Sequence, residues 1–246
     1  MLIAPQLLKR IWGIDPRVIV HIGAHEAEEL GDYRDLGWGD AATVWVDALP
    51  EKAAEVRAKT RDLPNHEVVN AVLWDRAGET IEFKETNNTQ ASSALDLKDS
   101  KELYPDIEVT RVRSFVTQRA DEALRLERFE RIDLVNLDVQ GAELHVLRGF
   151  GAQLDKVRAI YSEVNVREIY SGGARFADLD AMLVARGFVL VDSYLLWRVG
   201  WGDALWMRAE DVPADASGRR RRRRVSALPA QAKYFVWWLL KGRRKH

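Results

Sequence analysis

The chain has 246 residues, 47% of them hydrophobic and 30% charged, with no cysteine. That length and apolar share suit one substantial domain with appendages and exclude global disorder, and the lack of cysteine excludes a disulfide framework and thiolate metal sites while fitting a reducing, cytoplasmic compartment. The formal net charge of −1 hides a division: residues 218–246 hold eleven Lys/Arg and no Asp/Glu, which leaves residues 1–217 at a net −12.

Residues 1–16, "MLIAPQLLKRIWGIDP", predict a helical lead-in and lack the basic start, long apolar run and cleavage site of a secretory signal. "VIVHI" (Val18 to Ile22) then reads as a strand that enters a small Gly-Ala turn and a helical pattern up to Leu36. "TVWVDA" is followed by the helix former "EKAAEVRAKT", and "EVVNAVL" by "TIEFKE" beyond a turn at Gly78. Residues 87–100, polar and irregular, predict a loop lying over one end of a sheet. Farther on, "RIDLVNLDV" precedes the helical "GAELHVLRGF", "VRAIYSEVNV" precedes "FADLDAMLVARG", and "FVLVDSY" with "DALWMR" reads as a closing pair of strands. Strands alternating with helices of this length over residues 17–211 predict an α/β fold, a mostly parallel sheet covered on both faces. Residues 212–246 read as a linker and a basic, tryptophan-containing tail. No stretch approaches the ~20 consecutive apolar residues of a membrane span.

In such a sheet, ligands sit at the carboxyl ends of the strands. The candidate residues are therefore Gly23, Ala24 and His25, then Asp47, Asn70, Ala71, Asp138, Glu163 and Asn165. Asp47 follows Gly23 by 24 positions, close to the ~20 expected of an acid that accepts hydrogen bonds from a ribose diol. A strand-end Asp is also a common helix cap. The turn carries one glycine and the acids Glu26 and Glu28, which oppose a pyrophosphate. A ribose-bearing cofactor with a positive centre and no phosphate, such as S-adenosylmethionine, suits it better. A nicotinamide-dependent oxidoreductase is disfavoured by the absent G-x-G-x-x-G.

"HIGAHEAEEL", "VWVDALPE", "LVNLDVQGAELHVLRGF", "YSEVNVREIY" and "WGDALWMR", in this order, resemble the FkbM family of S-adenosylmethionine-dependent methyltransferases over residues 17–208. The resemblance implies a class I methyltransferase (Rossmann-like) fold, a seven-stranded mixed sheet whose last strand is antiparallel, and methylation of hydroxyls on sugars or polyketide-like acceptors. It implies that Gly23, Ala24 and His25 lie along the methionine part of the cofactor, with Asp47 on its ribose. Asn70 and Ala71 then lie beside the adenine, and Asp138 at the methyl-donor end. His21 stands where related enzymes commonly carry an acid, at the amino-acid end of the cofactor.

A hydroxyl is a poor nucleophile, so a base or a metal must take its proton as the new bond forms. Asp138 is the best-placed carboxylate, with Glu163 and Asn165 ending the neighbouring strand; the three also offer oxygen ligands for a divalent metal, which stays open. Glu143 and His145 are two apart on a helix and cannot both line one pocket. Glu143 reads as a first-turn acid, and His145 as a surface or core-edge residue. Ser92 and Ser93 read as lid or acceptor contacts, Trp45 and Trp74 as core. Trp197, Trp201 and Trp206 read as packing or as an aromatic face for a sugar ring.

The implied acceptor is a hydroxyl of a glycan or glycolipid precursor; a catalytically silent carbohydrate-assembly module shares the same fold-level features. In the tail, arginines 219–224 and the cluster at 241–245 flank "YFVWWLL" (Tyr234 to Leu240), a pattern that suits an anchor on an anionic membrane surface, at the inner face. Docking of the tail on the acidic body is the competing reading. Nucleic acid is disfavoured, because a body of net −12 repels a polyanion.

Overall fold

The computed structural model describes residues 1–98 and 104–214, together with the backbone of 221–224. The central sheet begins with β1 (Val18–Ile22), β2 (Ala42–Asp47) and β3 (His66–Asn70), with β7 (Ile132–Leu137) and β8 (Val157–Asn165) on the other side of β1. These five are parallel, in the order β3-β2-β1-β7-β8. Beyond β8 lies β10 (Trp201–Arg208), antiparallel both to β8 and to the following β9 (Phe188–Leu196). Seven strands in this order, with the last in sequence inserted antiparallel, make the class I methyltransferase sheet. The run read as a linker and tail adds an eighth, β11 (Arg221–Arg224), parallel to β9 at the edge. Tyr234 to Leu240 lies outside the described residues.

Side chains alternate across the sheet with period two. Val20, Ile22, Val44, Val46, Val135 and Leu137 face one apolar layer; Ile19, Trp45, Leu134, Ala159 and Tyr161 face the other. The first layer is closed by α4 (Ala120–Ala123), α5 (Glu143–Gly149) and α6 (Phe176–Ala185) through Val146, Leu147, Leu179 and Leu183. The second is closed by α1 (Pro5–Trp12), α2 (Glu29–Asp35) and α3 (Pro50–Thr60) through Leu8, Trp12, Leu30, Tyr33 and Val56. The lead-in helix is thus part of the core, started by Pro5 at its first turn and stopped by Gly13 in the left-handed conformation.

Two elements depart from the sequence reading. The strand expected over Glu67 to Leu73 breaks at Ala71: β3 stays in the central sheet, while β4 (Val72–Leu73) leaves it to pair with Thr117 and Gln118. Those residues end β6 (Val109–Gln118), which sequence reading missed and which pairs antiparallel with β5 (Thr80–Thr86) in a separate three-stranded sheet. "VTRVRSFVTQ" alternates as a strand should, but its outward Val112 and Val116 are exposed and arginines interleave them, so no buried face marks it. The helix expected from Glu26 onward begins only at Glu29, because His25 (φ 43°) and Ala27 (φ 52°) are left-handed and hold the preceding residues in a turn.

Candidate functional site

The strand order reverses between β1 and β7, so their carboxyl ends diverge into loops on opposite sides and leave a crevice. Here Asp138 N–H donates to Ile22 O at 3.0 Å, which ties the ends of β7 and β1, and Gly23 N–H donates to Val46 O of β2 at 2.9 Å. A cavity of about 560 Å³ opens above this point. It is lined by His21, Gly23, His25, Asp47, Ala71, Asp138, Glu163 and Asn165, all named from sequence. Ala24 and Asn70 stand outside the lining. Ala24 is buried in the layer that holds α1 and α2, and Asn70 donates from Nδ2 to the carbonyls of Asp47 and Ala48, both at 2.9 Å, which braces the loop after β2.

At one end of the cavity Asp47 is nearly buried. Its Oδ2 accepts from His25 N–H and its Oδ1 from Leu49 N–H, each at 2.8 Å, and burial raises its pKa despite these bonds. Both oxygens keep a free lone pair for a ligand hydroxyl. The acidic turn beside it is braced rather than loose. His25 Nδ1 lies 3.0 Å from Glu28 Oε1, its Nε2 lies 2.9 Å from Thr89 Oγ1, and Gln90 Nε2 donates to Glu28 at 3.1 Å. Against the cost of burial, the His25 contact and backbone bonds hold Glu28 down to about 2. Thr89 and Gln90 belong to the irregular segment read from sequence as a loop over the sheet end, and with Asn88, Ala91 and Ser92 they line the cavity there.

His21, in the place of a strand-end acid, is buried and stacks on Trp45 with ring centroids 4.8 Å apart. Burial pushes its pKa down, so the ring is neutral. Asn136 Nδ2 donates to the Tyr33 hydroxyl at 3.0 Å, and that hydroxyl lies 3.0 Å from His21 Nδ1. With Nδ1 accepting, the ring proton sits on Nε2, which faces Glu29 at 3.8 Å. The negative charge at this strand end comes from α2 instead of β1.

The deep end collects carboxyl groups. Asp138 is pushed up to about 6 and Glu163 well above the usual carboxylate range, in both cases by burial first and by neighbouring acids second. Residues 161, 163 and 165 share one face of β8, and the antiparallel register sets Asp203 opposite Glu163 and Trp201 opposite Asn165. Asp203 accepts the hydroxyl of Tyr161 and the Leu2 N–H, and Met1 and Leu2 line this end. Asn165 Oδ1 is buried with no hydrogen-bond partner, while its residue lines the cavity. Beside it Trp201 Nε1 donates to the Tyr104 hydroxyl at 2.9 Å, and Tyr104 and Tyr170 complete an aromatic wall. Among the described residues no three His, Asp or Glu side chains converge as metal ligands.

The residues sequence reasoning set aside fall as follows. Glu143 does more than favour a helix dipole: fully buried, its Oε1 accepts from Gly141 N–H at 3.0 Å and Val139 N–H at 3.3 Å, closing the turn after Asp138, and burial lifts it to about 7. His145 is outside the lining and stacks on Trp74 at 3.9 Å, 3.2 Å from Asp75. Trp206 is core and Trp197 is exposed. Sequence reading missed Asp203, Gln140, Tyr104 and Tyr170. Strand alternation from Trp201 could have found Asp203, and the block "LDVQGAEL" contains Gln140, but nothing periodic marks Tyr104 or Tyr170.

The chain matches the methyltransferase FkbM domain over residues 21–190. It is 29% identical over 165 residues to the 2-O-methyltransferase NoeI of Sinorhizobium fredii, a match covering 64% of this chain and 67% of that protein. Among solved structures it is similar to magnesium protoporphyrin IX methyltransferase ChlM of Synechocystis with bound S-adenosylmethionine (TM-score 0.45, 10% identity, 80% of this chain and 72% of that one). It is also similar to TrmK of M. capricolum with S-adenosylhomocysteine (TM-score 0.48, 9% identity, 84% and 67%). With the family match spanning most of the body, and the sheet order and crevice described above, the chain belongs to the FkbM family and is an S-adenosylmethionine-dependent methyltransferase.

Proposed function

We propose that the chain is an O-methyltransferase acting on a hydroxyl of a glycan or glycolipid precursor. The observation that carries this is Asn165 Oδ1, a buried acceptor with no partner, which lines the cavity that holds Asp138, Glu163 and the aromatic wall. Leaving a buried acceptor unmade costs ~1–3 kcal/mol, so a ligand that brings an O–H there is favoured. A hydroxyl-bearing ring that stacks on Trp201 and donates to Asn165 fits both surfaces. The name of the relative NoeI, a 2-O-methyltransferase, also supports an oxygen acceptor.

The cavity fits the cofactor. Its acids at the deep end suit a sulfonium, and the free lone pairs of Asp47 suit a ribose diol. Asp47 would hold the ribose, His21, Gly23 and Glu29 the amino-acid end, and Ala71 the adenine. Bound there, S-adenosylmethionine supplies a methyl group on a cationic sulfur, and transfer leaves a neutral thioether. The chain's part is to hold the acceptor in line and remove its proton. The acceptor O–H proton passes to the Asp138 carboxylate as the O–C bond forms and the C–S bond breaks. Asp47→Asn is expected to raise the dissociation constant for S-adenosylmethionine about 10-fold or more, because charge-assisted hydrogen bonds contribute ~1.5–3 kcal/mol. Calorimetric titration measures it, and an unchanged constant in a folded variant removes Asp47 from the ribose site.

The experiment for the function is transfer of labelled methyl to glycans and lipids of a cell-envelope extract, with the product identified by mass spectrometry. Label found only in protein or nucleic acid would overturn the reading. The basic tail supports a peripheral position beside lipid-linked acceptors. A second arm sediments the full chain and a chain ending at Ser217 with anionic liposomes at low salt. Equal recovery of both in the supernatant would remove the membrane from the proposal.

A further inference from the structure

The two buried acids at the deep end meet on one side chain. Gln140 Nε2 donates to Asp138 Oδ1 at 2.6 Å and to Glu163 Oε1 at 3.2 Å. Its Oε1 accepts from the Tyr170 hydroxyl, which fixes the direction of the carboxamide. Turning it over would set Oε1 against the Asp138 carboxylate oxygen that Nε2 now serves. The backbone at Gln140 is left-handed, φ 54°, and its carbonyl accepts from Ser93 Oγ at 2.7 Å. Ser93 in turn is paired through its backbone with Lys84 of β5, at 2.8 and 3.0 Å. On the other side Gly141 lies against the Tyr170 ring so closely that a Cβ there would stand 2.9 Å from it. A non-glycine residue in this conformation is strained and persists because several partners over-determine it.

The two bonds from Gln140 are unequal. The shorter one goes to Asp138, and of two such bonds the one to an ionised acceptor is the shorter. Two adjacent buried carboxyls do not both ionise readily, so the proton must reside on one of them. We propose that Gln140 is a positioning residue that places this proton: it holds Asp138 as the ionised acceptor of the substrate proton and Glu163 as the protonated neighbour, under the grip of Tyr170 and of Ser93 in the covering loop. This rests on the reading of Asp138 as the base. Burial raises both acids, and at Asp138 the hydrogen bond from Gln140 acts against that rise. Other titratable or charged groups facing the pair are Asp203 on β10, Glu143 behind the turn, Glu29 on α2, Tyr161, Tyr104 and Tyr170, and the α-amino group of Met1. None of these except Tyr170 is altered in the variants below.

The test is an infrared pH titration of the carboxyl groups in the full chain with S-adenosylhomocysteine bound, which needs no acceptor. Asp138→Asn identifies the Asp138 signal by deleting it. Gln140→Leu is expected to move the Asp138 midpoint up by about one pH unit, the size of one lost charge-assisted bond. Gln140→Glu, which keeps the shape and adds an acid, is expected to move it further. Tyr170→Phe, which frees the carboxamide while keeping the ring under Gly141, is expected to move it in the same direction by less. Methyl transfer to the envelope extract should fall about 10-fold in Gln140→Leu below the wild-type midpoint, and by more in Gln140→Glu, with recovery at high pH and S-adenosylhomocysteine affinity within about twofold of wild type. A midpoint that stays at its wild-type value in Gln140→Glu and Tyr170→Phe overturns the proposal, even where Gln140→Leu is too unstable to measure. If Asp138→Asn deletes the signal but transfers methyl normally, Asp138 is not the base, whatever Gln140 does to its proton.

Discussion

Asp138→Asn is expected to lower methyl-transfer turnover by ~10²-fold or more while the affinity for S-adenosylmethionine changes little. The substitution keeps the shape of the side chain at the end of β7 and removes its charge and its capacity to take a proton; Glu163 and Asp203 remain as acids at the deep end. The pH dependence of the wild type follows from the same group. A base must be ionised to act, and burial lifts Asp138 to about 6, so turnover should rise with pH through that region and level off above it. In Asp138→Asn this limb should disappear. Near-normal turnover in the variant would reduce Asp138 to a structural residue of the turn. EDTA separates the two chemical roles: wild-type turnover that survives chelation supports the base, and turnover that is lost and returns with a divalent ion makes the carboxylate a ligand.

Gly23→Ala is expected to abolish measurable cofactor binding and to destabilise the fold by ~2–4 kcal/mol. Two effects add. Gly23 has φ 86°, a conformation L side chains rarely adopt, and a Cβ built on it would stand 1.7 Å from the carbonyl oxygen of Asp138. The methyl group fits only if the ends of β1 and β7 part, and those ends form the floor of the crevice. Gly172→Ala is the control, since its φ is 71° and no atom lies within 4 Å of the added Cβ. It should show only the backbone cost, about 1 kcal/mol. Thermal melting compares them, and a similar loss in both would mean that the contact with Asp138 relaxes freely.

Much of this site was legible in the sequence because strand ends are where such sheets hold ligands. Gly23, Asp47, Ala71, Asp138, Glu163 and Asn165 were reached by locating apolar runs and reading the residue at which each stops, and all six line one cavity. The same procedure named Ala24 and Asn70, which flank lining residues but point elsewhere. Position along a strand gives the level of a residue and not its side. Gln140 and Glu143 lie within the block "LDVQGAEL", yet their roles depend on a left-handed turn that no residue type announces, since glutamine seldom adopts it. Tyr104 and Tyr170 come from irregular segments, where no period relates a residue to the sheet.

The sequence by itself determined the alternation of strand and helix, the two-faced core and the level at which the chemistry sits. These depend on local periodicity and on which residues are apolar, both of which are carried by neighbours in the chain. Only the tertiary structure decided that β3 ends at Asn70 so that Val72 and Leu73 can join a second sheet, and that the acid serving the end of β1 is Glu29 of α2. It alone set Asp203 opposite Glu163 and placed Gln140 between Glu163 and Asp138. Each of these pairings joins residues by register or by burial across separate elements. The ionisation of the acids was also beyond sequence, because a carboxyl at position 138 titrates near 4 in water and is lifted to about 6 only by the packing that surrounds it.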